Sequence, residues 1–303
     1  MPEPTGLLLE SKHFAVHDGP GIRTTFFFKG CPLRCLWCHN PESVERAPQL
    51  GFFSHKCRNC GRCAADCPEG AHTVAEGAHT LDRAKCRVCG ACVANCPAEA
   101  LKVYGERRGV AEVVEEALAD RDFYDNSGGG VTLSGGEPLM QGEFALALLA
   151  ALKAAGLHTA LDSSLFAAPE LVRATLPVTD MYLIDFKHAD PAEHRKLTGQ
   201  ENGRIVENLR MLSDAGARIE IRIPFVPGCN ADDANMAATG RILGEMRIER
   251  IRLLPYHSHA RFKYAAVGRP DTMPDAESPD EAAIGHACSI LRQYGLDAVS
   301  GRA

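Results

Sequence analysis

The sequence predicts an α/β protein built on a parallel sheet and interrupted near its start by a compact cysteine-rich insertion. Three observations predict it. Apolar, β-type runs alternate with amphipathic helical stretches over most of the chain, about six such units are present, and residues 51–105 break the alternation with a duplicated cysteine segment. Alternation of this kind builds parallel strands joined by right-handed crossovers. A length of 303 residues with 45% hydrophobic content suits one large core plus a small insertion better than two equal domains. Residues 1–50 and 106–303 are therefore expected to form one unit, with 51–105 as a second.

In chain order, the first strand is expected at 24–29 (TTFFFK), with a cysteine loop directly after it. Beyond the insertion, a helix at 111–123 leads to a strand at 130–134, and a helix at 142–155 to a strand at 158–162. The pattern continues with a helix at 168–175, a strand at 180–186, a helix at 203–215 and a strand at 218–224. A helix at 233–246, a strand at 249–255 and a last helix at 280–294 complete it. Six units fit a partial barrel or an open doubly wound sheet, and spacing does not separate the two. In either, ligands bind at the C-terminal strand ends. GCPLRCLWC follows the first strand, SGGEP the second, LDSS closes the third, DFK the fourth and LLPYH the sixth. Five polar motifs thus share one end of the sheet.

A net charge of −6 and a pI near 6.1 give no broad basic field, so no nucleic-acid partner is expected. The start lacks a basic region followed by an apolar core, and no stretch reaches the ~18 apolar residues that span a bilayer. The expectation is a soluble, cytoplasmic protein without a membrane partner. Thirteen cysteines then point to metal or redox chemistry and not to disulfides. Eleven fall in three compact groups, while Cys229 and Cys288 stand apart as ordinary thiols.

In the first group, Cys31, Cys35 and Cys38 offer three thiolates from one short loop, enough for three irons of a 4Fe-4S cube. The fourth iron would keep an open position for a chelating ligand. Zinc is the alternative, but a structural zinc site needs four ligands and this loop is one short unless His39 joins. The other two groups are copies. KCRNCGRCAADCP at 56–68 recurs 29 residues later as KCRVCGACVANCP, identical at nine of thirteen positions. Each reads C-x2-C-x2-C-x3-C-P, the spacing of two-cluster bacterial ferredoxins, whose fourth cysteine ligates the other cluster. Cys57, Cys60, Cys63 and Cys96 are assigned to one 4Fe-4S cluster, and Cys86, Cys89, Cys92 and Cys67 to another. Paired zinc knuckles are the alternative here. Closed by four thiolates, these clusters would relay electrons. Seven Lys or Arg against five Asp or Glu in 51–105 leave a small positive excess where an acidic ferredoxin or flavodoxin donor could dock.

DGPGIRT at 18–24, FFKGCPLRCLWCHNPE, VTLSGGEP, LIDFKHADPAEHRKLTG and LLPYH together resemble radical S-adenosylmethionine enzymes, and more narrowly the activating enzymes of glycyl radical enzymes. The resemblance covers nearly the whole chain. It implies a partial (β/α)6, TIM-like barrel with a ferredoxin-like insertion. It also implies an anaerobic reaction: a reduced cluster cleaves S-adenosylmethionine to methionine and a 5′-deoxyadenosyl radical, which takes hydrogen from a glycine of a partner enzyme.

The resemblance further implies roles at matching positions. Gly135, Gly136 and Glu137 would receive the methionyl amino group, with a simple tight turn as the bland alternative. In DFK, Asp185 would reach the ribose and Lys187 the methionyl carboxylate, with Phe186 between them and Arg222 as a second cation. A solvated surface ion pair is the competing reading of Asp185 and Lys187. Trp37, Cys38 and His39 would pack along the adenine, and His257 would reach ribose or adenine. Asp162 and Ser163, with Leu183 and Asp185 nearby, match a segment that holds a monovalent cation, although Ser164-Leu165 replaces the family's small residue and glycine. Asp18 would face the partner's glycine loop, and His259, Ala260 and Arg261 stand where the family often has a glycine. Two other functions compete: a sulfatase-maturase-like modifier and an electron-carrying polyferredoxin. The sequence does not identify which glycyl radical enzyme is the target among dehydratases, choline or isethionate lyases and arylacetate decarboxylases.

Overall fold

The computed structural model describes residues 3–301. Its body is a nine-stranded sheet whose middle is parallel. The strands are β1 (Thr5–Ala15), β2 (Arg23–Phe28), β7 (Glu106–Gly109), β8 (Gly130–Gly135), β9 (Thr159–Ser163), β10 (Met181–Asp185), β11 (Ile219–Phe225), β12 (Arg250–Pro255) and β13 (Ala298–Ser300). They lie in the order β13-β12-β11-β10-β9-β8-β2-β1-β7. All seven from β2 to β13 run parallel, and β1 is antiparallel to both its neighbours. The six strands expected from sequence are β2 and β8 to β12. Three outer strands, the edges β7 and β13 and β1 next to β7, were not foreseen.

Between them run α3 (Val110–Leu118), α4 (Arg121–Ser127), α5 (Gly142–Ala154), α6 (Pro169–Thr175), α7 (Pro191–Thr198), α8 (Gly203–Asp214), α9 (Asp233–Leu243), α10 (Arg261–Ala266) and α11 (Glu281–Arg292). Asp190, Asp232 and Asp280 cap α7, α9 and α11 by accepting from the backbone N–H three residues on. The single helix expected at 111–123 is two, because Asp120 between them turns its carboxylate to Thr24 Oγ1 and His13.

Alternate residues of a strand face opposite sides of a sheet. On one side Phe26, Leu133, Leu161, Ile184, Ile221 and Leu253 join a single apolar core with α3, α5, α6, α8, α9 and α11. The other side carries a small apolar cluster of Ala160, Met181 and Leu183 and is otherwise rich in polar contacts. Arg23 donates to Thr132 Oγ1, Ser134 to Asp162, and Thr25 to Asp18 on a loop laid across this face. Helices therefore cover one face, as in a barrel wall, and a doubly wound sheet with helices on both faces is excluded. This one-sided layering supports the partial-barrel reading. Among the described residues no helix is long and apolar enough to cross a membrane.

The cysteine-rich insertion hangs between β3 (Gln49–Phe52) and β6 (Leu101–Tyr104), which pair antiparallel. It holds α1 (Arg62–Asp66), the hairpin β4 (His72–Ala75) and β5 (Ala78–Leu81), and α2 (Ala91–Ala94). Arg83 ties it to the body by donating to Leu50 O and to Ala266 O at the end of α10.

Candidate functional site

The first cysteine loop leaves β2 and is fixed from three sides. Gly30 N–H donates to Ser43 O and Cys31 N–H to Val44 O, closing the loop on itself. Arg34 and Leu36 donate their N–H groups to Thr198 O and Leu197 O at the end of α7. From α10, Tyr264 Oη donates to Cys38 O, while Lys263 Nζ donates to His39 O, Asn40 Oδ1 and the buried Glu42. Neither helix was expected from the sequence. Burial pushes the Cys31 and Cys35 thiols up and Cys38 up to about 12. What fits a metal cluster is the donor set itself: three cysteines of one short loop line a single cavity, where iron would supply the positive charge that makes them thiolates.

The second strand end presses on this loop. Gly135 has φ +106°, and a Cβ there would lie 2.4 Å from Phe28 N; at Gly136 it would lie 2.3 Å from Gly30 O. Their smallness serves first the close packing of β8 against the cysteine loop, with Gly136 N–H on Phe28 O and Glu137 N–H on Gly30 O. Glu137 is fully buried and its carboxylate is consumed: it accepts from Ser163 Oγ, Ser164 Oγ and N, and Leu139 N. It is a positioning group for the 162–165 loop and does not line the cavity, contrary to the expectation that its carboxylate receives a ligand. Phe186 also departs from expectation. It lies in the apolar core on the helix side, because it alternates with Asp185 and Lys187.

The remaining residues converge. One cavity of about 400 Å³ is lined by Cys31, Cys35, Trp37, Cys38 and His39, by Gly135 and Gly136, by Asp162 and Ser163, by Asp185 and Lys187, and by Arg222, Tyr256 and His257. Every expected strand end contributes. Lys187 Nζ donates to Asp185 Oδ2 at 2.7 Å; burial opposes its charge, but Asp185 and the nearby sulfurs more than offset this and raise its pKa. Lys187 is buried, which removes the solvated-pair reading. Arg222 faces Asp162 at 3.5 Å and Asp18 at 3.9 Å, and donates to His17 O. Burial pushes Asp162 up to about 7, Arg222 pulls the other way, and Asp185 and Asp18 add to the rise.

On the far wall three imidazoles stack. His39 and His257 have ring centroids 4.3 Å apart, and His257 and His259 are 4.6 Å apart, each pair tilted by 32°. Burial and the neighbouring His257 lower His39 to about 4, so its ring is neutral at pH 7 and donates from Nε2 to His257 O. His259, noted in sequence only as a departure, packs on His257 but does not itself line the cavity. Among the described residues, two buried nitrogens of lining residues, Arg222 Nε and His257 Nδ1, have no hydrogen-bond partner, the nearest carboxylate oxygen to the former being Glu220 Oε1 at 4.0 Å. Unpaired buried nitrogens at a cavity wall are what a polar ligand satisfies.

Two smaller cavities lie in the insertion. One is ringed by Cys57, Cys60, Cys63 and Cys96, the other by Cys67, Cys86, Cys89 and Cys92.

The profile of the radical SAM superfamily matches residues 25–239, from the first parallel strand through most of α9. The chain belongs to the radical SAM superfamily. Among curated radical SAM relatives, the (2S)-3-sulfopropanediol dehydratase activating enzyme of Klebsiella oxytoca is 40% identical over 282 residues, 90% of this chain and 89% of that one. The benzylsuccinate synthase activating enzyme of Thauera aromatica is 40% identical over 306 residues, 97% and 92% of the two chains. The solved structure of Streptococcus suis SuiB bound to precursor peptide SuiA aligns with TM-score 0.50 at 12% identity, covering 89% of this chain and 46% of that one. That likeness is one of fold alone. Within the radical SAM superfamily, this chain is an activating enzyme of glycyl radical enzymes.

Proposed function

We propose that Cys31, Cys35 and Cys38 hold a 4Fe-4S cluster with one iron free for S-adenosylmethionine, and that the cavity beside them is its binding site. The carrying observation is that three cysteine sulfurs, two buried cations and the imidazoles of His39 and His257 open onto one space large enough for a nucleoside-sized ligand. When bound and reduced, the cluster supplies the electron that cleaves S-adenosylmethionine, giving the radical that takes hydrogen from the partner's glycine.

The chain's own residues bind and orient. Lys187 and Arg222 suit the methionyl carboxylate, since both are cationic, buried and lining. Asp185 suits a ribose hydroxyl. Trp37, Cys38 and His39 with His257 form the surface for adenine, and the backbone of Gly135 and Gly136 is the acceptor for the amino group. Glu137 acts indirectly by fixing Ser163 and Ser164. Asp162 and Ser163 remain candidates for a monovalent cation; activity indifferent to sodium and potassium would remove them.

The insertion is read as a ferredoxin-like unit with two further 4Fe-4S clusters, three in all, passing electrons from a ferredoxin or flavodoxin. Cavities ringed by four cysteines each, in the crossed pairing expected from spacing, support it. The test of the main proposal is anaerobic mixing of reduced, S-adenosylmethionine-loaded enzyme with glycyl radical enzymes. One partner should develop the electron-spin-resonance doublet of a glycyl radical; no doublet with any of them overturns it.

A further inference from the structure

The 29-residue repeat extends beyond the cysteines to the whole insertion. β3 maps onto β5, β4 onto β6, and α1 onto α2 at the same offset. Left-handed backbone recurs at Asn59 and Val88, at Gly61 and Gly90, and at Gly70 and Glu99. N–H donation to sulfur recurs too, from Ala71 to Cys67 and from Ala100 to Cys96. The equivalent residues Asp66 and Asn95 hydrogen-bond to each other across the two copies at 3.0 Å. Two cavities built this way should be chemically alike. They are not.

Where Leu50 lines the second cavity, its counterpart 29 residues on, His79, lines the first, and where Leu101 lines the first, its counterpart His72 lines the second; among the described residues only His79 of the two imidazoles lies in hydrogen-bonding reach of cysteine sulfurs. His79 Nδ1 lies 3.5 Å from Cys57 Sγ, and its Nε2 lies 3.6 Å from Cys63 Sγ and 2.9 Å from His72 Nδ1. The Phe52 ring packs against it at 4.2 Å. A neutral imidazole carries one N–H. A proton on Nε2 would be divided between His72 Nδ1 and the more distant Cys63 sulfur, whereas the arrangement that uses the 2.9 Å contact in full has His72 Nδ1–H donating to His79 Nε2 and His79 Nδ1–H donating to Cys57. Hydrogen bonds to cluster sulfurs raise reduction potential by stabilising the more negative state.

We propose that His79, oriented by His72, donates a hydrogen bond to the Cys57 thiolate and holds the Cys57/Cys60/Cys63/Cys96 cluster at a higher potential than its Cys67/Cys86/Cys89/Cys92 twin. The duplicated unit is thereby a pair of unequal carriers. The proposal rests on the two-cluster reading of the insertion, and wild-type holoenzyme lacking accessory-cluster signals would sink that reading itself.

The test is redox titration of the holoenzyme at one fixed pH, followed by electron spin resonance, with iron content measured in parallel. His79→Leu, which restores the residue of the other copy, should lower the potential of one accessory cluster while iron stays at the wild-type level. His79→Gln, which keeps an N–H donor, should shift it less, and His72→Leu should give a partial shift in the same direction. Unchanged potentials in His79→Leu overturn the proposal. So does loss of one cluster's worth of iron in both His79 variants, which would make His79 a ligand; Cys63, His72 and His79 do bring one ligand atom each within 4.8 Å of one another.

Discussion

At Leu165 a bulky residue occupies a backbone conformation that belongs to glycine. Its φ is +58°, its side chain is fully buried, and Asn208 holds the turn by donating to Leu165 O and Ala167 O. The backbone there is one that glycine favours, with leucine bearing the strain. Left-handed geometry costs about 1–2 kcal/mol, whereas emptying a buried leucine site costs about 3–5 kcal/mol. Leu165→Gly should therefore lose about 1–4 kcal/mol in urea unfolding; a gain would mean that strain outweighs packing. Asp162 gives a pH-dependent prediction. Its folded pKa near 7 lies above the ordinary 3.8, so the unfolded chain releases the proton first. Stability from this group is complete below about pH 4 and lost as pH rises to about 7. Asp162→Asn cannot ionise, so its melting temperature relative to wild type should climb across that window and then level off, with a limit on the order of 4 kcal/mol. A gap that stays flat from pH 4 to 8 would refute the burial penalty. The cysteines, Lys187 and Arg222 were legible in sequence because metal and carboxylate recognition demand those residue types. Glu137 was misjudged because its direction is set by Ser163 and Ser164, 26 and 27 residues away in sequence.

Among the elements, α10 bears most directly on the site, and it is six residues long. Short helices carry little periodicity, which is why α10 and α7 escaped the sequence reading, and the outer strands escaped because they lie outside the alternating units. α10 spends Lys263 on the cysteine loop and its last residue on the insertion. Glu42, with 3% of its surface exposed, has Lys263 as its charge partner at 2.8 Å. Removing one member of a buried pair leaves an uncompensated charge and costs about 3–5 kcal/mol, less here because Lys263 is part-exposed. Lys263→Met should destabilise the chain and slow iron incorporation at Cys31, Cys35 and Cys38. Adding Glu42→Leu should recover most of the stability in denaturant unfolding. No recovery in the double variant would mean that the backbone contacts of Lys263 to His39, and not the ion pair, fix the loop.

On the scale of the whole molecule, the cysteine-rich segment is inserted between two paired strands and touches α10 through Phe53, His55 and Arg83. The cysteine core of the duplication was readable because repeated cysteines fix spacing, while its extension to the flanking strands was not, and the parallel body was readable because each βα unit repeats one pattern; the side on which the helices lie was not, since it depends on which face of each strand they cover. The insertion leaves the body through β3 and returns through β6, where Phe52 pairs with Leu101. Replacing residues 53–100 with Asn-Gly would close these strands as a two-residue hairpin, whose turn type matches strand twist. The main core draws no side chain from residues 53–100, and only Phe53 is lost from the small cluster of Leu9, Tyr104 and Val267, so the shortened chain should fold, bind S-adenosylmethionine and cleave it when dithionite supplies electrons. Reduction by a ferredoxin or flavodoxin should fall at least about tenfold if the insertion is the relay. Cys60→Ala in the full chain should slow the same step without changing the junction, which separates lost relay from lost packing. Protein-driven cleavage at the wild-type rate in both variants would eliminate the relay and leave the insertion as a docking surface alone.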